Sequence, residues 1–374
     1  AYSDVQARKL MIAARLMRAA DFPGGPRKIE VADGENFAQA VHRAALQLEP
    51  FPWILYRAKP GQQTATYRIN QFGFRGPEIT APKPPGCVRV LMLGGSAVWS
   101  VSASRDNTTL PACLERELSA RWPGTRVEVI NGGYLGYVTF QELLLHQLHA
   151  AALQPDVVVT FDGFNDFYTA LVLGRAGEND YYHWLRPGLA TAMDDRQAAW
   201  RTAVFATRRM LRGTAIYEGL AWLRRCFARP VPARADDALV RAASALWRDN
   251  LITLGLAARQ RGERCFFFLQ PALGIGAKQL TPDEQARLAV ANRKVENYLP
   301  ALTRYFDAAR AQLPVLASAT GGCAADLSGV FDDRQETIFS DHCHFGDAAN
   351  AIVAGRMADL IAREFQPLKT TSAP

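Results

Sequence analysis

Val88-Arg89-Val90-Leu91-Met92-Leu93-Gly94-Gly95-Ser96 is a short apolar, β-branched run that ends on two glycines and a serine. A run of that length bounded by a turn signal predicts a buried strand over 88–93. Glycines ahead of a serine permit a tight turn that lifts the hydroxyl above a sheet. Taken alone, Ser96 reads first as a helix N-cap, a common use of serine.

Working outward, the same rhythm recurs. The pattern predicts a helix over 109–122, a strand over 127–130 ending in Asn131-Gly132-Gly133, and a helix over 139–153. A strand over 157–161 ends in Asp162-Gly163. Later come a strand over 265–269, a short last strand at Val315-Leu316, and a closing helix over 348–365. Apolar strands separated by helices predict a buried parallel sheet covered on both faces, an α/β fold. In open sheets of this kind ligands bind beyond the carboxyl ends of the strands. Residues 171–262 interrupt the rhythm with tryptophans, arginines and mostly helical spacing. They predict a helical insertion that either thickens the fold or caps the site. Ahead of the sheet, residues 3–20 and 34–48 read as helices and 64–69 as a short extended piece. Asn70 to Pro77 is a glycine-punctuated loop, and a proline-rich stretch at 81–86 marks a boundary. The division expected is an N-terminal accessory region (1–86), a main domain (87–366) holding the insertion, and a tail (367–374).

The bulk numbers leave room for such a domain. The chain has 374 residues, 49% hydrophobic and 21% charged, with a formal net charge of +7. The basic residues are scattered and no nucleic-acid motif accompanies them, so a solvated basic surface is expected and no nucleic-acid partner. No run of about 18 apolar residues spans a bilayer. Arg8, Lys9, Arg15 and Arg18 interrupt the first segment, which therefore does not read as a signal peptide. Six cysteines occur without a C-x-x-C pair; Cys113 and Cys265 fall in predicted elements and read as buried small apolar residues.

Four separated motifs carry chemistry. Ser96 is a candidate nucleophile, which needs a base to take its proton. Asp341 and His344, in Asp341-His342-Cys343-His344, stand at i and i+3. One turn puts them on one side, so the carboxylate can orient the imidazole toward Ser96. His342, beside Asp341, is expected to point away. Gly136, in the turn 131–136, and Asn165, in Gly163-Phe164-Asn165-Asp166, are candidate oxyanion donors together with the Ser96 N–H. Their local alternatives are an ordinary turn glycine and a cap. Asn131 is expected to tie down its own turn, and Asp166 to cap the next segment or brace the site. Trp99, Tyr134, Tyr137, Phe164 and Tyr168 flank the motifs as packing or substrate contacts. A metal site from Cys343 with His342, His344 and Cys323 has no familiar zinc spacing, so no metal and no cofactor are expected. The G-x-S-x-G elbow of the α/β-hydrolases is missing, since Val98 holds its last position.

These blocks resemble the SGNH hydrolases, or GDSL esterase/lipase family. Ser96 resembles the first block, with Gly95 where the family usually has aspartate. Gly136 resembles the second, Asn165 matches the third, and Asp341 with His344 matches the fourth, D-x-x-H. The resemblance covers residues 87–170 and 262–366. It implies a three-layer α/β/α sandwich with a central parallel sheet, flavodoxin-like, plus the N-terminal extension and the helical insertion. It implies Ser96 as nucleophile, His344 as base and Asp341 as its orienter. It also implies Ser96 N–H, Gly136 N–H and the Asn165 amide as the oxyanion hole. Tyr67 to Gly76 resembles the lead-in of bacterial members with an N-terminal extension. Many of those are exported or membrane-anchored and act on acylated polysaccharides. The expected function is therefore a serine esterase acting on an O-acetyl or other short acyl ester of a carbohydrate or cell-envelope substrate, outside the cytoplasm. Transfer of the acyl group to a sugar hydroxyl uses the same triad and stays open, as does a non-catalytic carbohydrate-binding role. A cytoplasmic site and the oligomeric state are likewise left open.

Overall fold

The structure is a computed structural model and describes residues 45–51, 53–178, 207 and 231–367. Five strands form one parallel sheet: β1 (Cys87–Gly94), β2 (Arg126–Gly133), β3 (Val157–Asp162), β4 (Arg264–Leu269) and β5 (Cys323–Asp326). Their order is β2-β1-β3-β4-β5. The helices are α1 (Ser96–Trp99), α2 (Leu110–Arg121), α3 (Thr139–Leu153), α4 (Phe164–Leu173), α5 (Asp237–Gln260), α6 (Pro282–Lys294), α7 (Tyr298–Arg310), α8 (Leu313–Thr320) and α9 (Asp347–Glu364).

Period-two alternation divides the strand side chains between two cores. Leu91, Leu93, Val158, Phe267 and Leu269 pack with α3, α4, α5, α7 and α8. Val90, Met92, Val157, Val159, Phe266 and Phe268 pack with α2 and α9 on the other face. Every residue of β1 and β3 is buried, which is why both read as mostly apolar runs rather than alternating ones. Arg89 is the charged exception in β1. Its guanidinium pairs with Glu128 at 2.7 Å and donates to the carbonyls of Leu153 and Thr80. The three-layer parallel architecture is the one expected.

Chain order reverses at β1, with β2 on one side and β3 on the other. The carboxyl ends of β1 and β3 therefore flank a crevice, the place where open sheets bind ligands. Ser96 stands two residues beyond β1, and Asn165 three residues beyond β3.

Some expectations are corrected. Val315-Leu316 is helical and lies in α8, which Pro314 opens and Gly321 closes in a left-handed conformation. The last strand is instead Cys323–Asp326, with no β-branched residue; it exists by pairing with β4. Residues 64–69 are extended only at Arg68 and Ile69, which form isolated bridges to Gln63 and Arg75. Thr64 Oγ accepts the N–H groups of Thr66 and Tyr67, and the chain folds back. The helix predicted to reach residue 48 ends earlier, because Leu48–Phe51 is a strand paired with Leu55–Ala58. The helix predicted over 3–20 and nearly all of that over 34–48 lie outside the described residues, as does most of the insertion. Its last third forms α5, which crosses from β3 toward β4 and packs in the main core. Residues 54–74 share that core too, through Ile54, Tyr56, Tyr67, Ile69 and Phe74. Among the described residues no helix is long and apolar enough to cross a membrane.

Candidate active site

Between Cys87 and Ala103 only Ser96 is not fully buried. The turn thus hides its backbone and shows one residue. Gly95, not Ser96, is the N-cap of α1, and the Ser96 hydroxyl is turned to His344. His344 Nε2 lies 2.6 Å from Ser96 Oγ, and His344 Nδ1 lies 2.6 Å from Asp341 Oδ2. A carboxylate can only accept, which assigns the ring proton to Nδ1 and leaves Nε2 as acceptor for the serine hydroxyl. The other oxygen, Asp341 Oδ1, accepts the backbone N–H groups of Cys343 (2.9 Å) and His344 (2.8 Å). Burial alone would raise the Asp341 carboxyl. The His344 charge and hydrogen bond, helped by His342 and the Cys343 N–H, outweigh it and hold the carboxyl well below the usual range.

The loop that holds Asp341 and His344 is fixed on several sides. Ser340 N and Oγ both donate to the His344 carbonyl, and Phe339 bridges Phe345. Ser340 Oγ also meets Ser102 Oγ at 2.9 Å, tying this loop to the segment after the Ser96 turn. Glu284 Oε1 accepts the N–H groups of Ile338 and Phe339, while Oε2 pairs with buried Lys278 at 2.7 Å. Leu273 N donates to the His342 carbonyl. None of these braces was singled out from the sequence. Thr281-Pro282-Asp283-Glu284 does carry a legible signal, a capping box. What that signal hides is that the same glutamate also binds a loop more than fifty residues on.

Asn165 donates from Nδ2 to the Tyr137 carbonyl at 2.7 Å. Gly136, immediately before Tyr137, has φ of 72°, which favours glycine. The Asn165 amide therefore sits against the loop that contains Gly136. It also sits against Gly95: a Cβ there would lie 2.2 Å from Asn165 Nδ2. Position 95 has no room for a side chain while that amide stays where it is. Asn131 Oδ1 accepts the Gly133 N–H, as its turn role predicts. Asp166 braces rather than caps, accepting Thr139 Oγ at 2.7 Å. Burial, then the nearby Asp162 charge, push the Asp166 carboxyl up to about 7 against the Thr139 hydrogen bonds.

Trp99, Tyr134, Tyr137 and Phe164 are buried packing residues. Tyr168 is partly exposed, and its ring stacks on His342 with centroids 5.4 Å apart. His342 also packs on Phe164 at 5.3 Å. Cys323 begins β5 opposite Phe266, well before the carboxyl end of the strands, so the full set Cys343, His342, His344 and Cys323 is not gathered. The group that does gather is Asp341, Cys343 and His344, with one candidate ligand atom from each all within 4.8 Å of one another. Its carboxylate and imidazole already bond each other, and burial and Asp341 keep the Cys343 thiol protonated, well above its ordinary range. Such a thiol is a poor metal ligand.

No family model and no curated protein matches the chain. Solved structures do. The lipase/acylhydrolase from Enterococcus faecalis is 15% identical, covering 76% of this chain and 100% of its own, at a TM-score of 0.42. Axe2, an acetylxylan esterase from Geobacillus stearothermophilus, is 14% identical, covering 76% of this chain and 97% of its own, at 0.40. A putative GDSL-like lipase from Parabacteroides merdae is 13% identical, covering 77% and 99%, at 0.43.

Proposed function

We propose that this chain is a serine carboxylic ester hydrolase of the SGNH kind. The observation that supports the reading most directly is the unbroken relay Ser96–His344–Asp341, with both contacts at 2.6 Å. Ser96 Oγ attacks the ester carbonyl carbon while His344 Nε2 takes the hydroxyl proton. Asp341, kept ionised, stabilises the imidazolium and its orientation. The carbonyl oxygen becomes an oxyanion, and the donors for it are Ser96 N–H, Gly136 N–H and Asn165 Nδ2. The Asn165 amide has two N–H groups. One is spent on the Tyr137 carbonyl and fixes the amide plane; the other is the donor offered to the substrate. Collapse breaks the bond to the alkoxy oxygen, which takes the proton from His344. Water, deprotonated by the same imidazole, then releases the acid from the acyl-enzyme.

The substrate in this reading is a short acyl ester, O-acetyl foremost, on a carbohydrate of the cell envelope or another extracytoplasmic polysaccharide. The half-exposed Tyr168 ring beside the relay, stacked on His342, supports it, since an aromatic face can pack on the apolar face of a sugar. The test is a Ser96→Ala variant. It should fold as the parent does, lose hydrolysis of a short chromogenic acetyl ester, and lose labelling by a fluorophosphonate probe. Full activity in that variant would sink the mechanism. Acetylated sugars assayed against long-chain lipid esters, with and without a sugar acceptor, test the substrate class and separate hydrolysis from acyl transfer.

A further inference from the structure

Residues 54–75, which lie ahead of the sheet, reach both turns that build the site. Arg75 is buried, at 2% exposure, and each guanidinium nitrogen is bonded. Nη1 donates to the carbonyls of Trp99 (3.1 Å) and Ser100 (2.7 Å), Nη2 to that of Thr66 (2.7 Å), and Nε pairs with Asp106 at 2.9 Å. Trp99 is the last residue of α1, and Ser100 its C-cap in a left-handed conformation. The guanidinium thus grips the exit of the turn whose first residue is Ser96. The Ser96 carbonyl itself is taken by Val101 N.

A second set of bonds reaches the loop around Gly136. Tyr134 Oη donates to the Gly73 carbonyl at 2.7 Å, and Tyr56 Oη to the Leu135 carbonyl at 2.5 Å. Tyr137 Oη donates to the Tyr56 carbonyl, and Gln141 Nε2 to that of Ile54. Tyr137 is the pivot. Outward its hydroxyl is held by the N-terminal segment; inward its carbonyl holds the Asn165 amide.

We propose that residues 54–75 act as a positioning brace for acyl transfer. Arg75 sets the Ser96 turn, and the Tyr56–Tyr137 contacts set the Gly136 and Asn165 donors. The proposal rests on the serine esterase reading. Its chemistry follows from where the bonds fall: they hold groups whose placement matters in the transition state more than in ester binding. Removing such interactions lowers kcat and leaves KM nearly alone.

Four variants test it: Tyr56→Phe, Tyr137→Phe, Arg75→Lys and Arg75→Met. Each is assayed on a chromogenic acetyl ester, with reactive Ser96 counted by fluorophosphonate titration and folding followed by thermal unfolding. Each tyrosine variant, which deletes a single hydroxyl, should lose about tenfold in kcat per titrated serine, with KM changed less than about twofold. Arg75→Lys keeps the charge facing Asp106 and should lie between the parent and Arg75→Met. An unchanged kcat per titrated serine together with a lower Tm would overturn the brace, leaving only a structural role. So would a raised KM at constant kcat, which would mark contact with the substrate. If Arg75→Met does not fold, the two hydroxyl deletions decide the matter. Failure of the unmodified chain to take the probe would instead remove the esterase reading, and the brace with it.

Discussion

At the scale of single residues, Gly95 is the position where space and chemistry meet. A methyl group there would strike the end of the Asn165 side chain, at 2.2 Å, with the Tyr137 carbonyl next at 3.3 Å. The end of a side chain gives way cheaply, so Gly95→Ala should cost little in Tm. Its amide would leave the donor position, and kcat should fall about a hundredfold, the usual cost of one oxyanion donor. A stopped-flow or steady-state ester assay beside a melting curve separates the two effects. Asp341→Asn probes a different property. The backbone bonds to Cys343 and His344 can survive, since asparagine keeps an accepting oxygen. What is lost is the charge and the tautomer it imposes on His344, and kcat should drop by about 10⁴-fold with the fold intact. Kinetics near neutral pH that match the parent would show that His344 does not depend on Asp341.

At the scale of elements, one support of the loop before α9 comes from the start of α6. Glu284 and Lys278 form a buried pair, with side chains 0% and 4% exposed, and Glu284 also receives two backbone N–H groups from the loop. Glu284→Ala leaves Lys278 uncompensated and should cost about 3–5 kcal/mol in urea unfolding. A loss below about 1 kcal/mol would show the pair to be solvated. The same scale shows what could be read from the chain beforehand. β1, β3 and β4 were legible because burial on both faces leaves mostly apolar runs. β5 was not, because Cys-Ala-Ala-Asp has no propensity of its own and takes its form from β4. Ser96, Asn165, Asp341 and His344 stood out as candidates because each stands in a short motif. Arg75 and Glu284 were not, since a charge in sequence looks like solvated surface until its distant partners are known.

At the scale of the molecule, buried carboxyl groups set the response to pH. Burial pushes Asp162 up to about 6 against its hydrogen bonds from Trp247 and others, and Asp166 to about 7. Both lie above the unfolded value of about 3.9. At these two groups the folded state holds more protons than the unfolded one, so their contribution to stability is full below about pH 4 and is lost as pH rises through 6 and 7. Asp341, held low, works the other way: its contribution is present above about pH 4 and is lost on further acidification. Melting curves from pH 4 to 8 should show a falling Tm for the parent and a flatter profile for Asp166→Asn; identical slopes would remove Asp166 from the explanation. The fold has one more consequence, for the order in which the molecule becomes competent. Ser96 and His344 are 248 residues apart, and the strands between them pair in parallel, so no local segment can assemble the relay. Contacts of such long range form late and slowly. During synthesis Ser96 emerges long before His344, so their contact waits for the rest of the chain. On the proposed esterase reading, recovery of activity after dilution from denaturant times the closing of the whole topology, and it should lag the return of helical signal.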